Sequence, residues 1–168
     1  MAVITNSNPT IVKPSDVFGY EVNTDVGYGR ETFNITGATT AKPVRVGTIL
    51  VVDYLANTAT PLKQTDIATL ADTATLGVFV GRDLPTNPAV AQDFDRLTQV
   101  ANGNGVAIVK GDGRGILKKG YLDINGVQYY KLTATEQAKL DKVFTTVNRF
   151  KMVEQQYTPD VNLERNDK

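Results

Sequence analysis

Asn125-Gly126 is the strongest short hairpin signal in the chain. A two-residue connection that follows the twist of its strands needs positive φ at both positions, and Asn then Gly adopt it at least cost. Leu122, Ile124, Val127 and Tyr129 flank the pair, so ILKKGYLDINGVQYYKL reads as a hairpin. Similar punctuation recurs. In PVRVGTILVVDYLA, residues 43–56, Val44 and Val46 alternate, Gly47 breaks the run, and Ile49 to Val52 is continuous. That is the first firm core element, a buried strand or a tight pair of strands. LGVFVGRDL sets Leu76, Val78 and Val80 on one face of a short strand. VAIVKG is a further strand, entered through the turn signal ANGNG and left through GDGRG.

One segment has a helical period. Thr133 caps it and Glu136 completes a capping box. Leu140, Val143, Phe144 and Val147 then share one face, with Lys139, Asp141 and Lys142 on the other. FKMVEQQ, with Phe150 and Met152 on one side, is a weakly alternating last strand. Residues 57–65 are a polar turn or a short exposed strand around Pro61. Residues 66–75 are one helical turn or a loop, and TNPAVAQDFDRLTQV is a solvated excursion, helix or loop. The expected class is mainly β with one or two short helices, α+β.

At 168 residues the chain suits one domain, or one domain with an arm. Residues 1–42 read as the arm, 43–157 as the β-rich domain and 158–168 as a flexible tail. The arm is rich in Asn, Thr and Gly, and Pro9 and Pro14 interrupt it. In FGYEVNTDVGYGRETFNITG, Phe18, Tyr20 and Val22 alternate, and Tyr28 and Phe33 follow. A solvating tail is poor in aromatics. The arm thus reads either as a flexible terminus, the commoner case, or, as these aromatics favour, as a segment whose Phe18, Tyr20, Val22, Tyr28 and Phe33 order on a partner by adding a strand to a foreign sheet.

Composition excludes much chemistry. There is no Cys and no His. Thiolate nucleophiles, disulfides, Cys-based zinc sites and the Ser-His-Asp triad are therefore out. Lys plus Arg equals Asp plus Glu, 18 against 18, which leaves no broad footprint for nucleic acid or an anionic membrane. No stretch has the length of a spanning helix, and MAVITNSNPT lacks the features of a signal peptide. A soluble protein made in a cytoplasm is expected.

GNG at 103–105 and GDGRG at 111–115 invite a phosphate-loop reading, but strand-forming residues follow both, so tight turns are expected. Asp93 with Asp95, or Asp112 with Asp123, are candidate paired carboxylates; solvated surface and the hairpin turn account for them. Asn34-Ile35-Thr36 has the form of a glycosylation acceptor, with no secretion signal beside it. Tyr121, Tyr129 and Tyr130 are core or interface candidates, and strand alternation sends Tyr129 and Tyr130 to opposite faces. No catalytic residue, metal site or cofactor is expected, and the chain reads as a non-enzyme.

The order TTAKPVRVGTILVVD, DTATLGVFVGRDL, VAIVKGDGRGILKKG, LTATEQAKLDKVF and NRFKMVE resembles the lambda-type head decoration, or capsid cement, proteins of tailed phages. The likeness covers about two thirds of the chain and rests on element order and texture. The longer arm and the TNPAVAQDFDRLTQV insert depart from it. The resemblance implies a compact β-tulip-like domain with an extended N-terminal arm. It implies homotrimers at threefold or quasi-threefold sites of an expanded shell and an arm pairing with strands of the major capsid protein. The location implied is the outer surface of the virion capsid, after synthesis in the host cytoplasm. The alternatives are another virion part, such as a tail or head fibre, or a small β-fold ligand-binding protein or hydrolase.

Overall fold

The computed structural model describes residues 12, 14–21, 29–39, 41–82, 99–100 and 103–154. The chain adopts the mainly β, α+β class expected. Its centre is a closed five-stranded barrel of β2 (Arg30–Ile35), β5 (Thr58–Pro61), β4 (Ile49–Asp53), β6 (Leu76–Arg82) and β8 (Gly103–Ile108), in that order around the wall. β2 and β5 run parallel, and every other neighbouring pair is antiparallel. Closure leaves these strands without a free edge.

Two clusters form the core, one on each side of the barrel wall. Phe33, Ile35, Leu50, Val52, Ala59, Phe79 and Ala107 fill the interior. Ile49, Leu76, Val78, Val80 and Ile108 point outward and are covered by a second layer. Strands buried on both faces lose the alternation of a half-exposed sheet, and this is why ILVV and LGVFV are nearly continuous apolar runs. The interior is narrow. A Cβ built on Gly105 would lie 2.6 Å from Phe79 Cε2 and 2.9 Å from Ile35 Cγ1. GNG is thus part of strand β8 and not the turn expected, and Gly105 is there to admit the Phe79 ring.

The covering layer is the helix α2 (Ala134–Thr146) and a three-stranded sheet of β1 (Phe18–Tyr20), β9 (Ile116–Lys118) and β12 (Lys151–Val153). The capping box is formed as the sequence predicts. Thr133 Oγ1 accepts from the Glu136 amide at 3.3 Å, and Glu136 Oε2 accepts from the Thr133 amide at 2.7 Å. Leu140, Val143 and Phe144 are buried against the barrel. Central β9 pairs antiparallel with β1 and parallel with β12. Phe150, between α2 and β12, packs tilted against Phe18 at 6.2 Å and edge-on against Phe144 at 6.3 Å, and so joins sheet to helix. Asn148 Nδ2 donates to the carbonyls of Leu76 and Val109, both at 2.6 Å, which fixes the helix end to the barrel.

β10 (Asp123–Ile124) and β11 (Val127–Gln128) form the expected hairpin, with φ of 50° at Asn125 and 95° at Gly126. β3 (Val44–Arg45) pairs with β7 (Gln99–Val100), so the end of the excursion at 86–100 returns to the first core element. The rest of that excursion, Asp93 and Asp95, and the tail 158–168 lie outside the described residues. Residues 64–66 are a short 3-10 turn.

The expected arm needs correcting. β2 lies within residues 1–42, yet it pairs with β8 along its whole length and supplies Phe33 and Ile35 to the barrel interior. A short helix, α1 (Pro14–Val17), and β1 also pack on the body through Val17 and Phe18. The glycines that made this stretch look coreless hid these contributions, because its partners are far away in sequence. Among the described residues, no helix is long and apolar enough to cross a membrane.

Candidate interaction surface

The expected arm residues are not gathered into one surface. Phe18 and Phe33 are core, 5% and 1% exposed, whereas Tyr20 is half exposed on β1. Val22 and Tyr28 lie outside the described residues. Tyr121 and Tyr130 are half-buried and pack against the outer core cluster, and Tyr129 is fully buried. Tyr129 and Tyr130 sit in a 3-10 turn and not a strand, so alternation does not separate them; their rings meet edge to face at 5.7 Å.

Buried Tyr129 needs a partner for its hydroxyl, and the partner belongs to a polar cluster that joins three elements. The Tyr129 hydroxyl donates to Asp141 Oδ1. Lys119 Nζ donates to Asp141 Oδ2 at 2.8 Å and to Glu154 Oε1 at 2.6 Å. Tyr130 donates to Glu154 Oε2 at 2.8 Å. Burial would lower the Lys119 pKa, but the two carboxylates outweigh it and raise it. Burial, with Asp141 beside it, pushes the Tyr129 hydroxyl up. The lysine therefore stays a cation and the tyrosine stays neutral. Such a cluster fastens α2 and the end of β12 to the turn that follows β9.

The glycine loop offers no phosphate cradle. The amides of Gly111 and Gly113 donate to the carbonyls of Asn148 and Arg149, and those of Arg114 and Gly115 donate to Gly111. Asp112 and Asp123 have separate surroundings. Asp112 is exposed, 3.8 Å from Arg149. Asp123 accepts from the Gly126 amide at 2.9 Å and from Thr48 Oγ1 at 3.4 Å, and burial raises its pKa. Among the described residues no group of three or more acidic side chains is placed to hold a metal ion.

What the molecule does present is a hairpin tip. Tyr54 and Leu55 continue the apolar run of β4, and the sequence placed them with the core, but the chain reverses after Asp53. Leu55 is 102% exposed and Tyr54 48%. The tip is held from both sides. Asp53 Oδ1 accepts the amides of Leu55 at 2.9 Å and Ala56 at 3.1 Å, and Asn57 takes the left-handed conformation at φ 51°. The Tyr54 ring meets Phe33 edge-on at 5.7 Å, and its hydroxyl donates to Glu31 at 3.2 Å. Partial burial and Glu31 raise the Tyr54 pKa to about 12. A signal for this turn was present: Asp53 and Asn57 bracket Tyr54, Leu55 and Ala56, as an Asx-capped turn ending in a left-handed residue requires. A shallow groove lined by Val51, Pro61, Leu62, Leu70 and Ala74 lies on the outer side of the same hairpin. No protein-family model, curated protein or solved structure matches the chain.

Proposed function

We propose that this chain is a structural decoration protein of a tailed-phage head, binding the outside of the expanded shell and stabilising it. The observation that carries the reading joins sequence to fold. Every segment on which the family resemblance rests is an element of one folded body. TTAKPVRVGTILVVD holds β3 and β4, DTATLGVFVGRDL holds β6, VAIVKGDGRGILKKG runs through β8 to β9, LTATEQAKLDKVF is α2, and NRFKMVE is β12. A cement subunit needs a stable body and complementary surface. Here the Lys119 cluster and the glycine-loop amides are taken up by internal bonds, and apolar side chains are offered at Tyr20 and at the β4–β5 tip. The partners in this reading are the major capsid protein and two further copies of the chain. Many symmetric copies on one shell give avidity that no single contact supplies.

Co-sedimentation with undecorated, expanded heads of the phage that carries this sequence tests the proposal. Saturable pelleting and heads more resistant to heat are expected. Pelleting no greater than that of an unrelated protein, at concentrations well above micromolar, overturns it.

A further inference from the structure

The sequence has Asn-Gly pairs at 102–103, 104–105 and 125–126. Such a pair can react with itself. The glycine amide nitrogen loses its proton to hydroxide and attacks the asparagine Cγ. The Cγ–Nδ2 bond breaks, and the side-chain nitrogen leaves as ammonia with a proton from water. Water then opens the five-membered imide at either carbonyl, giving aspartate or isoaspartate. The attack needs a free nitrogen and a backbone able to bend towards Cγ. Asn102 lies outside the described residues. Asn104-Gly105 lies in β8, which is paired on both sides, with Phe33 and Arg82 opposite Gly105. Extended and clamped there, it cannot close the ring.

Asn125-Gly126 is the opposite case. It joins β10 and β11, a two-stranded sheet with two residues in each strand, and so small a hairpin has little stability of its own. Asn125 is half-buried and Gly126 exposed, and a Cβ on Gly126 would meet nothing within 4 Å, so water reaches the turn. The group that holds the nitrogen is Asp123. The Gly126 amide donates to its carboxylate, at 2.9 Å to Oδ2 and 3.1 Å to Oδ1. Asp123 is in turn tied to the body. Thr48 Oγ1 donates to Oδ2 at 3.4 Å, and the Asp123 amide donates to the Gly47 carbonyl at 3.0 Å. An anion beside the Gly126 N–H opposes loss of its proton, and the bond has to break before the nitrogen turns towards Cγ.

We infer that Asn125 is a self-modification site held in check by Asp123, a positioning residue that keeps the Gly126 nitrogen from the Asn125 side chain. The inference is independent of the decoration reading. Freeing a nitrogen bonded to a charged group corresponds to roughly ten- to a hundredfold faster conversion.

The test follows conversion at Asn125 and Asn104 by peptide mass mapping of the full chain in mildly alkaline buffer. It compares folded wild type, Asp123→Ala, Asp123→Asn and wild type unfolded in urea. Both asparagines are expected to convert in urea. Folded wild type should convert at Asn125 roughly ten- to a hundredfold more slowly. D123A should recover most of that factor while Asn104 stays unmodified, and D123N, which keeps an acceptor without the charge, should fall between. Asn104 thus reports unfolding of the whole chain. Folded wild type converting at Asn125 as fast as in urea overturns the inference, and so does D123A converting no faster than wild type. If Asn104 and Asn125 accelerate together in both variants, Asp123 serves overall stability alone and the inference is again overturned.

Discussion

Gly105 is where the barrel leaves least room, and Gly105→Ala measures that constraint. The new methyl would sit 2.6 Å from Phe79 Cε2 and 2.9 Å from Ile35 Cγ1. Both neighbours are fully buried in the barrel interior, so neither can swing into solvent. Overpacking of this kind costs about 1–3 kcal/mol. The opposing effect is a less flexible unfolded chain, which favours Ala over Gly by about 0.4–1 kcal/mol. The clash wins, and a net loss on the order of 1–2 kcal/mol is expected. For a chain of this size that lowers the melting temperature by roughly 2–8 °C. Urea unfolding reads the loss as a shift in midpoint at unchanged slope. Phe79→Leu removes the part of the ring that the methyl strikes. The double variant should therefore lose less than the sum of the two single losses, with a coupling of about 0.5–3 kcal/mol. A G105A protein as stable as wild type, or a strictly additive double variant, refutes the packing argument.

Thr133→Ala removes half of the capping box and is expected to cost about 1 kcal/mol in urea unfolding; a cost below a few tenths would mean that tertiary packing alone defines the start of α2. Lys119→Met leaves Asp141 and Glu154 without their cation and should cost about 1–3 kcal/mol, whereas Glu154→Gln, at an exposed carboxylate, should cost less than about 1 kcal/mol. The reverse order in matched unfolding curves would contradict the cluster as drawn. Acid should destabilise the chain. Lysines 139 and 142 hold Asp72 at about 2, and bonds to Thr133 and to Lys119 hold Glu136 and Glu154 below the ordinary 4.5. Groups with depressed pKa values stabilise the fold above their unfolded values, and that stability is lost as pH falls through the folded ones. The loss should therefore run from about pH 4.5 downward towards 2, read as the urea midpoint against pH; a flat profile refutes it. Asp123 acts oppositely, since its raised pKa favours folding on protonation, so Asp123→Asn should steepen the loss just above 3.8.

Local signals were legible wherever local geometry decides the outcome. The Thr133–Glu136 box, the 140–143–144 stripe and the Asn125-Gly126 turn lie within a few residues of their partners, and each appears in the fold as expected. Long-range pairing was not legible. β2 is glycine-flanked and polar on its outer face, and only its pairing with β8, some seventy positions later, makes Phe33 a core residue. The same holds for Gly105, whose strand position depends on a ring supplied by β6. Tyr129 was ambiguous because a buried tyrosine needs a hydroxyl partner, and Asp141 comes from another element.

The hairpin tip exposes a different kind of failure. An apolar run ILVVDYLA continues past the point where the strand ends, so counting hydrophobic residues assigns Tyr54 and Leu55 to the core. Turn chemistry assigns them to a tip, through Asp53 and Asn57. The two rules conflict, and the backbone follows the turn. Turn positions are ordinarily polar, because their side chains face water. A single exposed leucine is ordinary on a protein surface, so a break of that rule at one turn position is tolerated. Phe18 and Phe33, the aromatics that first suggested a binding arm, find their contacts inside the molecule. Leu55 finds none there, so the exposed large apolar side chains among the described residues are Tyr20, Tyr54, Leu55 and Val153, and not the buried Phe18 and Phe33.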